Sequence, residues 1–274
     1  MSKRNTQSAK TAARERLRAE REREAKRAKV KRQVTVAVSV VAVLAAAGGI
    51  GYAVVQANKP GHWEAVKDQK LVKPANTTGA DGTTVVIGKS SAKKTLAMYE
   101  DPRCPVCAAF EQSVGQTVKK DVDEGKFKIQ FVGATFIDTN IPGEGSRNAL
   151  SALGAALNVS PEAFLEYKAA LYSAKYHPDE QDDKFKDDAY LLKIADTVGA
   201  LKNNAAFEKA VKDGTYDKWA LVMSDKFNTD GQKYNFQGTP TLVMDGKKVT
   251  GADGKNAPMS VDEFNTAVDK ALKG

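Results

Sequence analysis

Polar and apolar positions divide the chain into four stretches. Residues 1–33 carry almost no apolar face. Ala, Arg and Glu dominate them, with pairs such as Glu22/Lys26 and Glu24/Arg27 at helical spacing. This predicts a solvated, partly helical arm, with nucleic-acid or ribosome binding as the sharper alternative. Val34–Val55 follows, twenty-two residues without a charge. As a helix rising about 1.5 Å per residue it would be about 33 Å long, enough to span a hydrocarbon core. Residues 56–82 hold Lys59-Pro60-Gly61, Pro74, Asn76-Thr77-Thr78-Gly79 and Asp81-Gly82. These turn signals predict a linker, with His62 exposed in it.

From residue 83 the pattern is that of a folded domain. Thr83–Ile87 is a β-branched run between glycines, and Thr95–Tyr99 is a second short apolar run. Val106, Phe110, Val114 and Val118 recur at helical spacing from Pro105 to about Glu124, where Gly125 ends the helix. Lys126–Val132 alternates polar and apolar. Strand, helix and strand predict a right-handed βαβ unit with parallel strands.

About 80 helical residues come next, spanning about 145–230. Asn148–Leu157 is rich in Ala and Leu. Ser160-Pro161 reads as cap and first turn of a helix carrying Phe164, Leu165, Lys168, Leu171 and Tyr172. Asp187–Val198, a short helix around Phe207, and Tyr216–Phe227 follow. His177 opens an acidic loop, read as solvated. Thr241–Met244 is a strand, Asp245-Gly246 a hairpin turn, and Ser260 caps a last helix with Phe264, Val268 and Leu272.

Charge changes the picture of the first stretch. The net charge is +8, yet residues 1–32 hold thirteen Lys/Arg against four Asp/Glu. The remainder is close to neutral and shows no basic stripe with interleaved aromatics, which argues against nucleic-acid binding by the domain. A basic arm before an apolar span keeps the N-terminus in the cytoplasm and places the domain outside. A cleaved signal peptide ending near Val55-Gln56-Ala57 is the rival, but its apolar core is usually about 7–15 residues. Both outcomes export the domain to a compartment where disulfides persist.

The candidate chemistry lies in Asp101-Pro102-Arg103-Cys104-Pro105-Val106-Cys107, which holds the only two cysteines. Cys104 falls at a helix start and Cys107 one turn in, close enough to bond. Unpartnered N–H groups and the helix dipole favour a thiolate at Cys104, with Cys107 as the resolving thiol. A structural disulfide would close too short a loop to stabilise much. A zinc site needs four ligands, and only His62 and His177 remain besides the pair, so no metal is expected.

With Tyr99-Glu100-Asp101, Cys104-Pro105-Val106-Cys107 and Gly238-Thr239-Pro240-Thr241 in order, the sequence resembles the thioredoxin superfamily over roughly residues 82–272. Within it the resemblance is to the DsbA-like, membrane-anchored oxidoreductases of bacteria. It implies an α/β thioredoxin fold with an inserted helical subdomain, following one transmembrane helix. It also implies a cis Pro240 facing the cysteines and a Thr239 whose backbone binds an extended substrate, while Pro105 and Val106 position the pair. Val106 stands where the best-studied oxidases have histidine, and Met98 where relatives bury a carboxylate. Arg103 and Glu100 are therefore candidates for electrostatic tuning.

The function this implies is disulfide exchange with unfolded exported proteins, without a cofactor. The implied reoxidant is a quinone-linked membrane partner of the DsbB or vitamin K epoxide reductase type. A reductase or isomerase, or a non-catalytic chaperone of the cell envelope, are the alternatives.

Overall fold

The computed structural model describes residues 61–273 and, except for 13, 19, 25, 28 and 30, residues 10–32. The expected transmembrane helix, Val34–Val55, lies outside the described residues. Among those described, no helix is long and apolar enough to cross a membrane. The described arm residues are helical and exposed, Leu17 included, as a segment without an apolar face must be.

The domain begins with a short helix α1 (His62–Val66) and a strand β1 (Val85–Ile87). The βαβ unit follows as β2 (Thr95–Glu100), α2 (Pro105–Glu124) and β3 (Lys128–Gly133). β2 and β3 pair in parallel, with Met98 opposite Phe131. Gly125 closes α2 at φ 81°, a left-handed position that costs glycine little, and its N–H bonds the carbonyls of Asp121 and Val122. The helical insertion comprises α3 (Ile137–Asn140), α4 (Gly145–Val159), α5 (Pro161–Leu171), α6 (Asp188–Ala195), α7 (Ala205–Lys212) and α8 (Asp217–Tyr234). A 3-10 turn at Lys184–Lys186 interrupts it. The hairpin β4 (Thr241–Met244) and β5 (Lys247–Lys248) precedes the last helix, α9 (Val261–Lys273). Asp245 and Gly246 at the hairpin tip both have positive φ, 50° and 76°, the twist that joins antiparallel strands.

The five strands lie in the order β1-β3-β2-β4-β5. Alternation along β2 and β3 sends neighbouring residues to opposite faces, and helices cover both. Phe131 packs on Phe164 of α5 with ring centres 5.1 Å apart, while Tyr99, on the other face, meets Phe227 of α8 at 6.3 Å. Phe110 of α2 packs on Phe264 of α9. This is the thioredoxin arrangement of βαβ, insertion and ββα, with the ends of β2 and α2 meeting at the cysteines.

One boundary differs from expectation. Residues 62–82 are not a free spacer but part of the domain. Trp63 and Val66 are buried, and the Arg147 guanidinium lies over the Trp63 ring at 5.3 Å. Asn76 donates to the Leu157 carbonyl at 2.8 Å, and the Trp219 indole donates to Gly82 O at 2.7 Å. His62 is exposed, as expected, and its ring also reaches buried Asp217 at 2.6 Å. Turn residues dominate this stretch by number, but two side chains with large apolar area suffice to fix it to the insertion.

Candidate active site

The strand β2 ends at Glu100, and Asp101-Pro102-Arg103 turn the chain into α2. Asp101 holds this turn. Its carboxyl accepts bonds from Ser146 Oγ at 2.6 Å, Arg103 N–H at 3.0 Å and Ile137 N–H at 3.2 Å. Burial nevertheless pushes it up to about 7, because the charged form loses more to desolvation than these donors return.

Cys104 is the N-cap of α2, in an extended conformation, with Pro105 in the first turn. Proline fits there because its missing N–H has no helical partner anyway. The Cys104 thiol donates to the Thr239 carbonyl at 3.4 Å, and the Thr239–Pro240 peptide bond is cis, as the resemblance implied. The Cys104 pKa is lowered to about 6. The largest cause is a hydrogen bond from the Cys107 thiol, followed by the Thr239 side chain and the N–H groups of Cys107 and Val106, all against the cost of burial. Cys107 is pushed the other way by complete burial, by donating to Cys104 and by the negative charges of Cys104 and Glu100. The two cysteines are unbridged. Both thiols are buried, Cys104 at 6 % exposure and Cys107 at none, and their surroundings make the first acidic while the second keeps its proton.

Around them, Pro105 and Val106 are exposed, Val106 by 48 %, and form an apolar lip beside Cys104. Thr239 is half-buried and Pro240 buried. The structure brings these positions together with the cysteines. Glu100 also reaches the site, fully buried, with Lys168 Nζ at 2.9 Å; the same ammonium lies 2.6 Å from Glu111. Burial raises the Glu100 pKa, and Lys168 opposes that rise.

Arg103 does not take the role expected of it. Its guanidinium is buried and committed to Asp138 at 2.9 Å, Asp183 at 3.3 Å, and the carbonyls of Glu180 at 2.8 Å and Ile141 at 3.3 Å. The groups that hold the Cys104 thiolate do not include it. It ties the active-site turn to the loops of the insertion.

Sequence reasoning did not identify Lys168, Glu111 and Tyr172 as site residues. A signal was present for two of them. Glu111 is seven residues, two turns, after Cys104, and Lys168 interrupts an apolar stripe between Phe164 and Leu171. A cavity of about 750 Å³ between the β4–β5 hairpin and α9 contains none of these residues, whereas a smaller one of about 180 Å³ is lined by Glu111 and Lys168. Among the described residues no group of His, Cys, Asp and Glu could hold a metal ion.

Comparison with known proteins agrees with this geometry. A family model described as thioredoxin matches residues 80–270. The chain belongs to the thioredoxin family. Among relatives of this thioredoxin-family chain is disulfide bond formation protein D of Bacillus subtilis. The two are 28 % identical over 195 residues, covering 69 % of this chain and 77 % of that protein. The reduced disulfide bond oxidoreductase DsbG of Mycobacterium tuberculosis superposes with a TM-score of 0.53 at 25 % identity, over 69 % of this chain and 92 % of that one. Oxidised BdbD of Bacillus subtilis superposes with a TM-score of 0.56 over 74 % of this chain and all of that one; at 23 % identity it shows the shared fold. The thioredoxin-family chain is a DsbA-like thiol-disulfide oxidoreductase.

Proposed function

We propose that this oxidoreductase is a protein-disulfide oxidase held on the outer side of the cell membrane by Val34–Val55, and that Cys104 and Cys107 carry its chemistry. A client thiolate attacks Cys104 Sγ of the disulfide form. The Cys104–Cys107 bond breaks, its electron pair goes to Cys107, and a client–Cys104 mixed disulfide forms. A second client thiolate then attacks the client sulfur of that bond, and Cys104 leaves as thiolate. The client loses two electrons and two protons and gains a disulfide; the enzyme ends as the dithiol. A quinone-linked membrane protein of the DsbB or vitamin K epoxide reductase type takes those electrons onward.

The observation that carries this reading is the opposition of the two thiols. A Cys104 pKa of about 6 stabilises the reduced form at neutral pH, which makes the disulfide a readier electron acceptor and Cys104 a good leaving group. The lip of Pro105 and Val106 suits apolar segments of unfolded clients. The Thr239 carbonyl, free once Cys104 is ionised, is an acceptor for a client N–H. Export is supported by the twenty-two uncharged residues after a basic arm.

Equilibration with glutathione tests the direction. A potential above the extracytoplasmic glutathione poise is expected, whereas one far below it would make the protein a reductase. Cys104→Ser should abolish exchange and Cys107→Ser should trap mixed disulfides with exported proteins. Full activity of either variant removes the mechanism.

A further inference from the structure

Tyr172 caps the C-terminus of α5 and lies in one buried cluster with Cys104, Cys107, Ala108 and Ile137. Its ring is held from several sides. Lys168 Nζ stands 5.1 Å from the ring centre, His177 stacks on it at 5.9 Å, and Gln112 donates to its carbonyl at 2.7 Å. Its hydroxyl is buried and has no hydrogen-bond partner. A buried polar group without a partner costs about 1–3 kcal/mol, and natural proteins rarely keep one without a reason.

The reason lies in what surrounds that hydroxyl. Cys107 of α2 and its N-cap Cys104 share the buried cluster of Tyr172, and Glu100 from β2 and Asp101 from the turn between them also act on its hydroxyl. Lys168 and His177 face the ring. Three of the four have other partners. Glu100 is bonded by Lys168, Asp101 by Ser146, Arg103 and Ile137, and Cys104 faces Thr239. Cys107 has Cys104 for its partner, and loses it when Cys104 is joined to a client. At that moment Cys107 carries the electron pair of the broken disulfide in a site closed to water.

We propose that the Tyr172 hydroxyl donates a hydrogen bond to the Cys107 sulfur whenever that sulfur is charged, making Tyr172 a further catalytic residue of disulfide exchange. The client sulfur bonds to Cys104, the Cys104–Cys107 bond breaks, and the electron pair settles on Cys107. Tyr172 keeps its proton throughout, since burial and the nearby negative groups push its pKa up. Cys107 afterwards takes one proton from solvent as the second client thiol releases one. The inference rests on exchange at this cysteine pair, but not on its direction or on membrane attachment.

Tyr172→Phe removes the hydroxyl and leaves the ring. In a Cys104→Ser background, where Cys107 titrates alone, the Cys107 ¹³Cβ shift followed against pH reports its pKa. Tyr172→Phe is expected to raise that pKa by about one unit, tenfold in equilibrium. In the intact disulfide form it is expected to slow reduction by dithiothreitol about tenfold. Ile137→Val trims the same cluster without removing a donor and should leave both readings unchanged. An unchanged Cys107 pKa in Tyr172→Phe, or an equal effect from Ile137→Val, overturns the proposal. Retained exchange by Cys104→Ser alone would overturn the mechanism above while leaving the Cys107 titration readable.

Discussion

Arg103 Nη1 lies 2.9 Å from Asp138 Oδ1, with both side chains out of solvent. The residue beside the first cysteine is thereby anchored to the helical insertion rather than directed at the sulfur. Asp138 also binds Arg147 at 3.1 Å and accepts the N–H groups of Ser146 and Arg147. The network therefore welds the turn before α2 to the start of α4.

Replacing Arg103 with Met leaves Asp138 and Asp183 short of a cation. Breaking a buried pair from one side typically costs about 3–5 kcal/mol, and the remaining Arg147 puts the expected loss near the lower end. Urea unfolding measures it. The Cys104 thiolate should still titrate near pH 6, because its stabilisers are Cys107, Thr239 and the helix N–H groups. A large upward shift would mean that Arg103 acts on the sulfur after all.

Cys104 has a folded pKa below its ordinary value. The resulting stabilisation of the reduced protein is fully present above the ordinary thiol pKa and is lost as pH falls through about 6. Alkylation of reduced protein by iodoacetamide should therefore rise about tenfold per pH unit up to about 6 and level off above it. Cys107→Ala removes the largest stabilising contact and should move that inflection upward. A wild-type rate still climbing between pH 7 and 9 would contradict the assignment.

Lys168 neutralises the buried Glu100 and the half-buried Glu111. Lys168→Met removes the cation that opposes the rise of the Glu100 pKa and leaves Glu111 beside it, so the Glu100 carboxyl rises further. A carboxyl whose folded pKa is raised loses stability as pH climbs through that value. The variant should be less stable than wild type by about 3–5 kcal/mol at pH 8, with a smaller difference near pH 5, since falling pH relieves Glu100 of its charge. Denaturation midpoints at the two pH values decide the matter; a pH-independent difference would point to lost packing alone.

Trp63 tests where the domain begins. It is buried beneath Arg147, in a stretch whose turn signals suggest a spacer. Trp63→Ala should cost about 3 kcal/mol, as truncation of a large buried aromatic does, without altering the Cys104 titration. Loss of a few tenths only would return residues 62–82 to the role of a linker.

The elements that were legible in the sequence are those whose signal is local. The Pro105–Glu124 helix follows from a 3.6-residue apolar period closed by Gly125. The hairpin follows from Asp245-Gly246, whose backbone needs positive φ. The cysteine pair follows from its placement at a helix start. Other features had no local signal. The direction of Arg103 depends on Asp138 and Asp183, thirty-five and eighty residues away.

By itself, then, the sequence determined the order of strands and helices, the basic arm, the uncharged run, and the reactive thiol one turn before a second, because each rests on periods or charges read over a few residues. Only the tertiary structure decided which polar groups are sealed from water. Glu100, Cys107, Lys168 and Tyr172 come from three separate elements, and their protonation, pairing and missing partners are set by desolvation, which exists only once β2, α2 and α5 have packed together.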